Sequence, residues 1–302
     1  MATFARPTFS AKAYAAFRPT YPASLFRTVL DYHQLRLAGN GTTLVDIGCG
    51  HGLIARALSP HFQHLVALDP SAGMVKQARQ MTEDPKISFH QGRAEDLSPF
   101  VRPTSVDLAV AGQAAHWFDY SAVWSELARA MKPGGTVVFW GYVDGVLLGA
   151  ENATAVMEKF VYGFGDVAPG IEGMAPYWEQ PGRNILRGLL GSVDVPGDNW
   201  KDVTRITHKP GDPDGDSVAW LKKKMTLGEV EAYTRTFSCY SGWKDAHPEM
   251  KSRAEGGDGD VVDVMWDHMI DSTPEWKAMG GQWREAEVIN DWGTYIIMAR
   301  KK

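Results

Sequence analysis

The most constraining stretch of the sequence is a glycine-rich turn between two apolar segments. Residues 44–47, Leu-Val-Asp-Ile, are followed by glycines at positions 48, 50 and 52, and then by the apolar-periodic residues 53–58. This order predicts a buried strand, a tight turn and the start of a helix. Glycine is required where the backbone adopts φ > 0 or where a ligand approaches without a Cβ in the way. The first amides of a helix lack intrahelical acceptors, so we expect a carboxylate or nucleotide-like ligand at this turn.

Strand and helix patterns alternate after residue 43. We predict strands at about 43–47, 64–68, 86–90, 105–111 and 135–141, separated by helices at about 52–59, 71–82 and 119–131. Strands separated by helices of this length imply βαβ crossovers, so the sequence predicts an α/β fold with a mainly parallel sheet.

The second half of the chain has a different pattern. Residues 143–199 are predicted to be helical and loop-rich, 200–208 to be a strand, and 217–224, 226–239 and 261–271 to be helices; 286–290 and 295–299 are predicted to form one or two antiparallel closing strands. We therefore divide the chain into an N-terminal helical lid (1–42), a cofactor-binding core (43–142), a largely helical substrate-binding cap (143–283) and closing strands (284–302).

The composition favours an enzyme or binding protein of the cytoplasm. The 302 residues carry 31 basic and 36 acidic side chains, for a formal charge of −5, so nothing favours nucleic acid or an anionic membrane as a partner. No apolar run reaches the roughly 18 residues of a membrane span, and the N-terminus lacks a signal-peptide core. Cys49 and Cys239 are too few for a disulfide framework, which favours a reducing compartment.

Polar groups follow four successive predicted strands, where open α/β sheets bind their ligands. The glycine turn is the first, and Asp69, 23 residues after Asp46, is placed to accept hydrogen bonds from a ribose. Residues 92–97 are placed to meet an adenine edge, and 112–119, Gly-Gln-Ala-Ala-His-Trp-Phe-Asp, bring polar and aromatic groups to the reaction centre. Asp69 alone could be only a helix cap, and a lone histidine is more often structural, but the four features together predict a nucleotide-type site.

The spacing Asp46-x-Gly48-x-Gly50-x-Gly52 resembles the first motif of the class I S-adenosylmethionine-dependent methyltransferases. The resemblance covers residues 43–141 and implies a Rossmann-like, seven-stranded, mostly parallel sheet with helices on both faces, and S-adenosylmethionine as cofactor. It assigns cofactor contacts to Asp46, Gly48, Cys49, Gly50, Asp69, Met74, Ala94, Glu95 and Gln113. The chain departs from the family in carrying Arg93 where many members have an aspartate that binds the adenine amino group.

Three further segments, 14–22, 115–119 and 176–183, resemble the fungal trans-aconitate methyltransferase group and its relatives in secondary metabolism. This narrower resemblance implies methyl transfer to a small acceptor, often a carboxylate. It places Tyr14 and Arg18 with the cofactor and His116 at the reaction. It assigns the acceptor pocket to Tyr21, Trp117, Tyr177, Trp178 and Arg183.

The leading hypothesis is O-methylation of a small polycarboxylic acid such as trans-aconitate. A carboxylate needs no general base at pH 7, and Arg18 and Arg183 could hold its other carboxylates. The alternative is an O- or S-methyltransferase of a fungal secondary metabolite with His116 as base. A dinucleotide-dependent oxidoreductase and a non-catalytic cofactor-binding protein are less favoured. We expect no metal, no nucleic-acid or membrane partner, and a monomer or homodimer.

Overall fold

The structure is a computed structural model that describes residues 19–34, 42–212 and 220–302. Within them the chain forms two compact units. The sheet unit comprises the described parts of Thr20–Asp144, Pro181–Leu221 and Gly293–Lys302, and the helical unit comprises Gly145–Gln180 and Lys222–Trp292. The described residues of 181–221, which fall in the predicted cap (143–283), belong to the sheet unit.

The elements are, in chain order, α1 (Ala23–Gln34), β1 (Thr43–Ile47), α2 (Leu53–Leu58), β2 (His64–Asp69), α3 (Ala72–Gln80), β3 (Ile87–Gln91), β4 (Val106–Gly112), α4 (Tyr120–Ala130), β5 (Met131–Leu148), α5 (Glu151–Tyr162), β6 (Asp166–Ala168), β7 (Ile171–Glu172), α6 (Gly182–Arg187), β8 (Trp200–His208), β9 (Lys222–Thr226), α7 (Leu227–Thr234), α8 (Ser238–Ala246), α9 (Val261–Asp271), α10 (Pro274–Ala278) and β10 (Glu287–Lys301).

The main sheet has the strand order β3-β2-β1-β4-β5-β10-β8, and β9 pairs with the first part of β10. Strands β1 to β5 pair in parallel, whereas β10 is antiparallel to both β8 and β9. The α/β class, the parallel core and the antiparallel closing strand are therefore confirmed. The described residues contain eight strands in this sheet, one more than expected, and the closing segment is one strand.

Both faces of the sheet are covered within the sheet unit. Val45 and Ile47 of β1 belong to one buried cluster, and Leu44 belongs to another. Because successive side chains of a strand point to opposite faces, a strand that is buried on both faces is apolar almost throughout. This explains the apolar run before the glycine turn, and it leaves Asp46 as the buried polar residue of β1.

The eighth strand corrects a prediction. The sequence predicts a helix over 217–224, but residues 222–226, which include Lys222, Lys223 and Lys224, form β9. The lysines are exposed, and Lys224 forms an ion pair with Glu287 of the adjacent strand. The strand partner lies more than 60 residues away, so local periodicity does not reveal it. The helix predicted over 226–239 is likewise divided into α7 and α8.

No helix in the described ranges is long and apolar enough to span a bilayer.

Candidate active site at the carboxyl ends of the strands

The glycine turn after β1 is tied to the end of β2. Gly48, Gly50 and Gly52 have φ angles of 72°, 54° and 83°, which confirms that the turn requires glycine. The N–H groups of Gly48 and Cys49 both donate to the carbonyl of Leu68, at 2.7 and 2.9 Å. These two N–H groups are therefore already used within the protein. A cofactor could contact Gly48 or Cys49 only by close approach to their other backbone atoms.

Gly50 faces open space, whereas its neighbours are packed. A Cβ built on Gly48 would overlap the Cβ of Ala114, and one on Gly52 would lie 2.8 Å from the Phe89 ring. A Cβ built on Gly50 would meet no described atom within 4 Å. The space into which a ligand could bring its atoms against this turn therefore opens at Gly50.

Asp46 is a fully buried carboxylate in which only one of the two oxygens accepts a hydrogen bond from the residues that the structure describes. Its Oδ2 accepts from the N–H of Ala55 at 3.1 Å, in the first turn of α2. Its Oδ1 has no partner among the described residues. Burial raises the pKa of Asp46 to about 7, with a smaller contribution from the charge of Asp69. A buried polar atom without a partner is costly, so this oxygen fits a donor that arrives with a ligand.

Asp69 links the ends of β1 and β2. Its two oxygens accept from the N–H of Gly50 at 2.9 Å and from the N–H of Ser71 at 2.8 Å. Burial raises its pKa, and these hydrogen bonds oppose that rise. Each carboxylate oxygen has two acceptor sites, so Asp69 retains capacity for hydroxyl donors.

The predicted cofactor residues that follow β2 and β3 are buried or form hydrogen bonds within the protein. Met74 is buried, and its N–H donates to the Ser71 side chain at 3.4 Å. Glu95 accepts from the N–H of Asp119 at 3.1 Å and pairs with the exposed Arg93 at 3.2 Å. Ala94 is buried beside them. Glu95 therefore joins the loop after β3 to the start of α4, and its predicted adenine contact would have to share these bonds.

The segment after β4 forms a short 3-10 turn, Ala115–Trp117. His116 is only 5% exposed, whereas Trp117 is 40% exposed, and their ring centroids are 4.7 Å apart. Gly182 at the start of α6 packs on this turn, since a Cβ there would lie 2.6 Å from the Trp117 ring and 3.1 Å from the His116 carbonyl oxygen. The fold thus brings α6 to a turn 66 residues earlier in the chain.

Arg183, the second residue of α6, is paired with an acidic residue. Its guanidinium binds the carboxylate of Asp144, and Arg187 approaches the same carboxylate at 3.3 Å. Arg183 is 9% exposed, so its charge requires a partner within the protein. The sequence did not reveal Asp144, because its partner lies 39 residues later.

The predicted pocket aromatics lie in different units. Tyr21 packs edge-on against Trp140 in the sheet unit, with ring centroids 5.7 Å apart. In the helical unit, the Tyr177 hydroxyl donates to Glu172 at 2.6 Å, and Trp178 stacks on Tyr162 and donates to the Val161 carbonyl. Tyr14 and Arg18 lie outside the described residues.

The match to known proteins agrees with this geometry. Residues 45–139 match the model of a family described as "Methyltransferase domain". The chain is 27% identical to the inferred S-adenosylmethionine-dependent methyltransferase CRG1 of Saccharomyces cerevisiae, over 84% of this chain and 87% of that protein. It is 32% identical to methyltransferase gedG of Aspergillus terreus, over 43% of this chain and 41% of the relative.

A solved structure supports the fold as well. A proposed type II methyltransferase from Anaeromyxobacter dehalogenans superposes with a TM-score of 0.64 at 22% identity, covering 94% of this chain and 98% of the other. The fold and the strand-end site define the class I methyltransferase architecture. Residues 45–139 form a methyltransferase domain of this class, and S-adenosylmethionine is its cofactor.

The residues at the strand ends fit this cofactor. The space beside Gly50, the unpartnered oxygen of Asp46 and the remaining acceptor capacity of Asp69 lie around one turn. S-adenosylmethionine carries amino, ribose hydroxyl and adenine groups that need such acceptors and such close approach.

Proposed function

We propose that this protein methylates a small molecule at a hydroxyl or thiol, with His116 receiving the acceptor's proton. S-adenosylmethionine supplies a methyl group already activated by its sulfonium. The protein's tasks are then to orient the acceptor, exclude water and remove a proton where one must leave. Asp46, Gly50 and Asp69 are the residues proposed to hold the cofactor.

The observation that carries this choice is the Arg183–Asp144 pair. A polycarboxylate acceptor, our leading hypothesis from sequence, needs arginines whose charge is available for bidentate binding. Asp144 already occupies the guanidinium of Arg183, and Arg187 shares that carboxylate. A second anion here would have to compete with Asp144, which favours an uncharged acceptor over a carboxylate.

His116 has a position suited to a base. It lies on the turn after β4, whose preceding residue Ala114 packs on Gly48 of the glycine turn. The neighbouring Trp117 offers an exposed aromatic face for an apolar acceptor. The similarity to gedG and other fungal methyltransferases supports a secondary metabolite as the acceptor class.

The test is a panel of labelled reactions read by mass spectrometry. Phenols, alcohols, thiols and polycarboxylates, including trans-aconitate, are incubated with S-adenosylmethionine and either the wild type or His116→Gln. We expect methylated phenol, alcohol or thiol, and a kcat at least 100-fold lower in the variant. Methylation of trans-aconitate with full activity in His116→Gln would instead establish the carboxylate hypothesis. Cofactor binding without any methylated product would favour a non-catalytic binding protein.

The variant Asp144→Asn further distinguishes a carboxylate acceptor from a hydroxyl or thiol acceptor. Neutralising this carboxylate removes the negative charge that competes for Arg183, so we expect carboxylates to bind or react about tenfold better than with the wild type. If wild-type activity with polycarboxylates already exceeds that of Asp144→Asn, Asp144 does not compete with the acceptor.

A further inference from the structure

Gln113 terminates the pairing of β4 with β5 in an unusual way. The register of these parallel strands runs through Ala111 with Phe139 and Gly112 with Trp140. The N–H of Gln113 continues the ladder by donating to the Trp140 carbonyl at 2.8 Å. In a parallel ladder, the next bond would join the carbonyl of Gln113 to the N–H of Tyr142.

The side chain of Gln113 takes the place of that backbone bond. Its Oε1 accepts from the N–H of Tyr142 at 2.8 Å, and its Nε2 donates to the carbonyl of Tyr142 at 2.9 Å. The primary amide therefore acts as one further peptide unit of β4. The backbone of Gln113, with φ of 56°, is free to leave the sheet at this point.

Leaving the sheet here determines where the next residues lie. Ala114 packs against Gly48 of the glycine turn, and the 3-10 turn carrying His116 begins at Ala115. A positive φ at a residue other than glycine is strained, and such strain persists only where surrounding contacts enforce it. The two hydrogen bonds to Tyr142 are contacts of this kind.

The side-chain amide of Gln113 lies against Gly141, where a larger residue would collide with it. A Cβ on Gly141 would lie 2.6 Å from Oε1 of Gln113 and 2.5 Å from the Tyr295 hydroxyl. Only glycine at position 141 leaves room for the Gln113 side chain in this orientation. Gly141, Gln113 and Tyr142 therefore form one unit where β4 ends beside the middle of β5.

We propose that Gln113 is a positioning residue: its amide clamps the end of β4 to Tyr142 and thereby holds the His116 turn against the glycine turn. This replaces the direct cofactor contact that we expected from sequence. The proposal deepens the proposed function, on which only the kinetic part of its test rests.

The test compares Gln113→Ala and Gln113→Asn with the wild type. Asparagine keeps an amide and tolerates positive φ, but it is one methylene too short to make both bonds. An effect of Gln113→Asn therefore reports the loss of the two hydrogen bonds and not the cost of a positive φ. The matched control is Gln63→Ala, because Gln63 is an exposed glutamine that immediately precedes β2. The readouts are amide hydrogen exchange of the cofactor-free protein, calorimetry with S-adenosylmethionine, and kinetics with the acceptor found in the panel.

We expect exchange in the peptide containing Tyr142 to accelerate about tenfold in both Gln113 variants, as for the loss of one hydrogen bond. The Kd for S-adenosylmethionine should stay within about threefold, while kcat at saturating substrates falls about tenfold or more. Gln63→Ala should match the wild type in all three. Gly141→Ala, which crowds the same amide, should show the same exchange change if Gln113→Ala fails to fold.

Three results would overturn the proposal. Unchanged exchange at Tyr142 would show that the amide does not clamp the strands. Unchanged kcat with a Kd for S-adenosylmethionine raised more than tenfold would show a direct cofactor ligand. A merely structural role would lower the melting temperature but leave kcat per folded molecule unchanged. If no acceptor is methylated, the proposed function fails, while exchange and calorimetry still decide the role of Gln113.

Discussion

Two pairs of buried aspartates, one in each unit, illustrate opposite uses of a buried charge. In the helical unit, Arg235 donates to both Asp260 and Asp263 at 2.8 and 2.7 Å. Each of the four carboxylate oxygens has a donor: the other donors are the Tyr240 hydroxyl, two N–H groups of the first turn of α9, and the N–H groups of Arg253 and Asp260. Although burial alone would raise it, the pKa of Asp263 is lowered by these hydrogen bonds and by nearby arginines.

In the sheet unit, Asp46 and Asp69 have no salt-bridge partner within the described ranges, and burial raises the pKa of both. A paired buried charge is compensated by its partners, and removing a partner is costly, whereas an unpaired buried charge costs stability until a donor reaches it. The pKa of Asp263 is thus lowered and those of Asp46 and Asp69 are raised, although all three are almost fully buried. This difference separates a carboxylate paired within the fold from the two at the proposed cofactor site.

The largest expected effect is a loss of stability caused by a substitution in the helical unit. Arg235→Met removes the cation shared by Asp260 and Asp263 and should lower the free energy of unfolding by about 3–5 kcal/mol. Denaturant unfolding measures this. The control is Lys277→Met, whose side chain forms an exposed pair with Asp271 and whose loss should cost less than about 1 kcal/mol. Equal losses in the two variants would contradict the assignment of the Arg235 network as structural.

The next effect is on cofactor binding. Asp69→Asn places an NH2 group against one of the two N–H donors of Gly50 and Ser71 and removes an acceptor for ribose. We expect the Kd for S-adenosylmethionine to rise about 30-fold, or about 2 kcal/mol. Calorimetry is the measurement, and Asp31→Asn, an exposed aspartate of α1, is the control. A Kd within threefold of the wild type would remove Asp69 from the cofactor site.

The third effect is a pH dependence of stability without cofactor. The folded-state pKa of Asp46 is about 7, above the unfolded value near 4, so the folded protein binds the extra proton between these values. Stability then falls as pH rises from about 4 to 7, with a contribution of up to about 1.4 kcal/mol per pH unit. Asp46→Asn should remove this contribution. Parallel stability–pH curves for the two proteins would show that Asp46 does not titrate in this range.

The smallest effect is at Arg93, where the chain departs from many methyltransferases. Its side chain is 77% exposed and pairs only with Glu95 in the contacts described. Arg93→Ala should change the unfolding free energy by less than about 0.5 kcal/mol. Glu95 keeps its bond from the Asp119 N–H, so the Kd for S-adenosylmethionine should stay within threefold. A tenfold weaker affinity would place Arg93 at the cofactor.

Much of the sheet could be predicted because its signals are local. The apolar strand β1 ends at the predicted residue 47, and the strand–helix alternation to β5 is correct within a few residues, apart from the longer β5. The same reasoning failed at β9, because a short strand of lysines acquires its structure from β10, more than 60 residues away. Local periodicity carries no information about such a partner.

The sequence by itself determined the nucleotide-type turn, its need for glycine and the methyl donor, since Asp46, three glycines and Asp69 lie within 24 residues. Tertiary structure decided which of these groups are still available. The amides of Gly48 and Cys49 are used by Leu68, the charge of Arg183 is used by Asp144, and the amide of Gln113 is used by Tyr142. Motifs specify residue types, but hydrogen-bond capacity is settled by partners that only folding brings near.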